Sequence, residues 1–165
     1  MAEVVVVSAI VLSFLAILYS SYNKTYSAYK TRLSYYDTVS LYRLVYYRDI
    51  LIENKSITTA FDKADTDSNH IASIYSTENN SGMIELPAEE KPTNIIENSF
   101  LINNRKTNLN GNELDSVNVN PTFKDYIKYL STSTKIESNY VMVIERCNNI
   151  DDCKYAYLEV YDGKE

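Results

Sequence analysis

Residues 4–23 carry no charged side chain, and this run constrains the chain more than any other feature. About 20 residues rise ~30 Å as a helix, the thickness of a bilayer's hydrocarbon core. Ser8 and Ser13 interrupt the apolar side chains, but their hydroxyls can bond back to the preceding helical turn. A cleaved secretory signal begins with a basic segment and ends in small residues. Here Met1-Ala2-Glu3 is acidic, and the run passes into Tyr19-Ser20-Ser21-Tyr22 without a convincing cleavage site. A core helix of a globular domain would show a polar face, which this run lacks. The expectation is a retained membrane-spanning helix over residues 1–22.

No Pro or Gly occurs before Gly82, so the helix is expected to continue to Lys55. Leu15, Tyr19, Tyr22, Tyr26, Tyr29, Leu33 and Tyr36 recur at alternating steps of four and three, which draws one packing seam along it. Residues 1–22 would span the membrane and residues 23–55 would pack under a head made of residues 56–165. Two topology signals conflict. Lys24, Lys30 and Arg32 would hold their side in the cytoplasm. The polar head and its cysteines favour the opposite, extracellular side, and we give these more weight. Glu3 has two readings from charge alone: an interfacial carboxylate at a helix N-terminus, or a carboxylate whose cation lies on another subunit.

The 165 residues have a formal charge of −6 and a pI near 4.9, leaving no basic surplus for general nucleic-acid binding. Cys147 and Cys153 enclose a short polar run. A zinc site needs four ligands, and the single histidine is His70, so a disulfide across a hairpin turn is the expectation, with two reduced thiols as the alternative. That disulfide would place the head in an oxidising compartment. There is no G-x-S-x-G, no Gly-rich phosphate loop and no His/Cys/Glu metal spacing, so neither enzyme activity nor a cofactor is expected.

The opening Met1-Ala2-Glu3-Val4-Val5-Val6-Val7-Ser8-Ala9-Ile10-Val11-Leu12 resembles the N-terminal segment of type IV pilins and pseudopilins. By that resemblance Met1 stands at the third mature position and Glu3 at the fifth, with two mature residues and the leader missing. Many pilins carry Pro or Gly near the twentieth residue, where Ser20 and Ser21 stand here. The resemblance implies a structural subunit of a pilus-like filament in which Glu3 meets the terminal amine of a neighbouring subunit. It implies a single pass through a bacterial cytoplasmic membrane, with the head outside. The implied partners are other pilin subunits, the bilayer, and the assembly and prepilin-processing machinery, with no small-molecule substrate. A non-polymerising, single-pass anchored binding or sensory protein is the alternative.

In the head, residues 57–75 have helical stretches weakened by Asp62, Asp65 and Asp67, an acidic cluster expected to be a solvated linker face. Residues 83–86, 94–96 and 100–102 read as short strands, residues 123–130 as a helix after Pro121, and residues 140–146 and 155–161 as a terminal hairpin. The expected class is α+β: a long transmembrane-plus-amphipathic N-terminal helix with a small antiparallel sheet, as in pilins.

Overall fold

The computed structural model describes the backbone of residues 2–35, 37–78, 82–133, 135–149 and 151–163, and within these the side chains of all but 2–6, 9, 27–35 and 133. It divides into two compact units, residues 1–35 and 36–165.

The first unit is helix α1, Ala2–Tyr35. Val7, Ile10, Val11, Leu12, Phe14, Leu15, Ile17 and Leu18 along it are each half or more exposed. The expected transmembrane segment is corrected here: among the described residues, no helix is long and apolar enough to cross a membrane.

The single helix to Lys55 is corrected as well. Asp37 adopts an extended backbone (φ −132°, ψ 114°), and its carboxylate accepts a bond from Ser40 N at 2.9 Å. An N-cap residue is non-helical by nature, so it opens a new helix rather than continuing the old one. That helix, α2 (Thr38–Glu53), belongs to the second unit. The expected pilin-like fold, with one long transmembrane-plus-amphipathic helix, is therefore not what the chain adopts.

The second unit contains α2, α3 (Ile57–Thr66), β1 (Ile71–Ser76), β2 (Ile96–Asn103), a 3₁₀ turn at Asn112–Leu114, α4 (Pro121–Ser133), β3 (Tyr140–Asn149) and β4 (Asp152–Val160). The strands form one antiparallel sheet in the order β1-β2-β3-β4. Successive side chains of a strand point to opposite faces, and here both faces are covered. On one face Leu101, Met142, Ile144 and Ala156 share a core with Leu44, Tyr47 and Leu51 of α2 and with Ala60 and Ala64 of α3. The alanines, both fully buried, let α3 approach the sheet closely. On the other face α4 buries Phe123, Tyr126, Ile127 and Leu130, the i, i+3, i+4, i+7 stripe of an amphipathic helix. Phe123 packs on Phe100 of β2 (centroids 6.2 Å apart) and on Tyr155 of β4 (5.4 Å).

Several local expectations change. Residues 71–76 are a strand, not the end of a helix, and the two segments 94–96 and 100–102 merge into β2. Residues 83–86 form no regular strand, although Met83 N and Ile84 N donate to Ser73 O and Ile74 O of β1. This approach requires Gly82, where a Cβ would stand 2.7 Å from Ile74 O. The acidic cluster is partly structural: Asp65 Oδ1 accepts from Asn103 Nδ2 (2.5 Å) and Tyr140 OH (2.9 Å). That bond and burial push the Tyr140 hydroxyl up to about 12, burial being the larger cause.

Candidate functional site

The polar chemistry of the second unit gathers at one end of the sheet, where β2 begins and β3 ends. Strand alternation sends Glu97 and Arg146 to the α2 face and Asn98 and Glu145 to the α4 face. All four are within one register step of each other, yet they build two different environments.

On the α2 face, the fully buried Glu97 carboxylate pairs with two guanidinium groups. Arg43 Nε stands 3.2 Å from Oε1, and Arg146 Nε stands 2.7 Å from Oε2. The Tyr47 hydroxyl also donates to Glu97, while Arg43 Nη2 donates to Tyr47 OH at 2.8 Å. Burial opposes the charge on Arg43, but Glu97 and Tyr47 together hold its pKa above the ordinary value. Burial, and then Glu97, raise that of Tyr47. Arg146 Nη1 reaches Asp37 Oδ2 (3.7 Å), so the residue that opens α2 is tied to the sheet. Every charge here has an opposite partner. This cluster locks α2 onto β2 and β3.

On the α4 face, Glu145 is 1% exposed. Its Oε1 accepts from Asn120 N at 2.9 Å, and its Oε2 accepts from Asn98 Nδ2 at 3.2 Å. Both donors are neutral. Burial, with a smaller contribution from Glu78, holds this carboxyl above the usual carboxylate range, against the two hydrogen bonds that favour its charged form. Asn98 is itself oriented by Ser76 Oγ (2.8 Å). Asn120 Oδ1 accepts from Thr122 N (3.0 Å) at the start of α4, so helix and carboxylate share one anchoring residue. Glu145, Asn98, Asn118, Asn120, Glu78 and Cys147 are among the residues that line a cleft of about 340 Å³. A second hollow of about 330 Å³ shares Asn98 and Asn118 with it.

Cys147 and Cys153 face each other across the β3–β4 hairpin and are joined in a disulfide. One ligand-capable atom from each of Glu145, Cys147 and Cys153 lies within 4.8 Å of the others. This juxtaposition was not foreseen from the sequence. Glu145 and Cys147 stand at i and i+2 of an alternating strand, and that spacing was the available signal.

The other expected site residues lie elsewhere. Glu3 is in α1, but its side chain lies outside the described residues, as do those of Tyr29 and Leu33; Tyr36 lies outside them altogether. Of the expected seam, Leu15, Tyr19, Tyr22 and Tyr26 are each more than half exposed, and the rings of Tyr22 and Tyr26 stack 6.1 Å apart.

No protein-family model, no curated protein and no solved structure matches the chain. The type IV pilin or pseudopilin assignment is therefore corrected, since neither a family match nor a spanning helix stands behind it. The single-pass anchored binding or sensory protein is corrected with it, because among the described residues no helix is long and apolar enough to span. With them fall the expected bilayer, pilin-subunit and assembly-machinery partners, and the extracellular head on a single-pass anchor.

Proposed function

We propose that the unit of residues 36–165 is a non-catalytic binding module whose cleft takes a small cationic ligand bearing hydrogen-bond donors, such as an alkylguanidinium. The observation that carries this reading is Glu145, a buried carboxylate at the cleft with only neutral donors on its oxygens. A ligand cation would supply the charge that Arg43 and Arg146 supply to Glu97 on the opposite face. Glu78 adds a second acidic oxygen, and the amides of Asn98 and Asn118 add acceptors that can orient a planar donor. The non-catalytic reading is supported by the same lining, which pairs no nucleophile with a base: Cys147 is held in its disulfide.

Calorimetric titration of the full chain with an alkylguanidinium tests this. Saturable binding with Kd of about 1 mM or tighter is expected, with the ligand recovered unchanged. Glu145→Gln should weaken it at least about tenfold, the cost of one charge-assisted bond. Equal binding of the uncharged alkylurea, or unchanged affinity in Glu145→Gln, would overturn the proposal.

A further inference from the structure

We propose that reduction of the Cys147–Cys153 disulfide turns this end of the β3–β4 hairpin into a divalent-metal site, with Glu145 as the third protein ligand. The inference shares Glu145 with the cleft but does not depend on any organic ligand binding there.

Strand geometry assembles the set. Glu145 and Cys147 are two residues apart on one face of β3, and Cys153 is the residue directly opposite Cys147 on β4. Their ligand atoms already lie within 4.8 Å of one another. A tetrahedral zinc-type ion with bonds of ~2.3 Å to sulfur and ~2.0 Å to oxygen needs ligand atoms roughly 3.5–3.8 Å apart. Side-chain rotation of the two freed thiols reaches that spacing while the backbone ladder keeps its register. The two hydrogen bonds on Glu145 use one position on each oxygen, and a carboxylate offers about four. Cys147 is 4% exposed, Glu145 is 1% exposed and Cys153 is half-buried, so the ion would bind at a partly buried site, with water at the fourth position. Two thiolates and one carboxylate suit zinc or cobalt rather than magnesium or calcium.

The redox step balances with a water-soluble tertiary phosphine. Phosphorus attacks one sulfur and the S–S bond breaks. Water converts the phosphorus adduct to phosphine oxide, supplying its oxygen and the protons of both thiols. Phosphorus is oxidised by two electrons and the two sulfurs are reduced. Metal binding then displaces the thiol protons, so affinity should rise with pH.

The test is Co²⁺ titration of the full chain, reduced with the phosphine, desalted and kept anaerobic. The expected result is sulfur-to-cobalt charge-transfer absorption saturating at one ion per chain. The oxidised chain, and a Cys147→Ser/Cys153→Ser double variant, should show none. Glu145→Gln should keep the absorption but bind at least about tenfold more weakly. Absence of that absorption in the reduced chain overturns the proposal, as does one ion shared between two chains. So does wild-type affinity in Glu145→Gln, or loss of strand circular dichroism on reduction, since the site requires the hairpin intact. Because no organic ligand is present, failure here leaves guanidinium binding by the oxidised chain a separate question.

Discussion

Glu97 and Glu145 sit on neighbouring strands, at the same end of the sheet, and both are buried, yet their surroundings assign them opposite work. Glu97 faces α2 and meets two guanidinium groups and a tyrosine hydroxyl. Glu145 faces α4 and meets a backbone amide and an asparagine. Burying a carboxylate is costly unless charge and hydrogen bonds compensate it. At Glu97 the compensation is complete and internal, so the group serves the fold. At Glu145 the hydrogen bonds are made but the charge is not matched, and the proton is held more tightly as a result. A buried carboxylate compensated by amides alone has an unmet preference for a cation. Burial by itself does not distinguish the two residues; the chemistry of their donors does.

The largest effect that would break this comparison comes from Glu97→Gln. It leaves Arg43 and Arg146 facing a neutral amide in a largely buried cluster and loosens α2 from the sheet. Equilibrium urea unfolding should show a loss of about 3 kcal/mol, at the low end for a broken buried pair because both arginines keep some solvent contact. A loss near zero would mean that the cluster does not hold α2.

Glu145→Gln should change stability at neutral pH by less than about 1 kcal/mol, since one acceptor remains and the Asn98 amide can turn to meet the other side. The pH dependence sharpens the contrast. The folded chain keeps the Glu145 proton to higher pH than the unfolded chain does. Its contribution to stability is therefore full below the unfolded pKa and is lost as pH rises through the folded one. Relative to Glu145→Gln, the wild type should weaken across that window when the two unfolding curves are compared at several pH values. Parallel curves would show that Glu145 titrates alike in both states.

The sequence made parts of this legible and concealed others for physical reasons. The terminal hairpin was visible in the alternation flanking the cysteines, and α4 in the spacing of Phe123, Tyr126, Ile127 and Leu130, because both are local periodicities. Strand β1 was hidden because its burial comes from packing on both faces, which blurs the period of two. The break before α2 was written in Asp37, a capping residue, which the absence of Pro and Gly ahead of Gly82 obscured. The candidate site depends on contacts such as Asn98–Glu145 and Asn120–Glu145, 47 and 25 residues apart, which no spacing motif encodes.

The most direct test of the account is the titration of the Glu145 carboxyl carbon by NMR in full-length protein labelled with ¹³C-glutamate, assigned by its loss in Glu145→Gln. The account predicts a midpoint above the ordinary glutamate value of about 4.3, moving downward when an alkylguanidinium is added, because a nearby cation favours the charged form. A midpoint at or below the ordinary value, or one that the cation leaves in place, would contradict it.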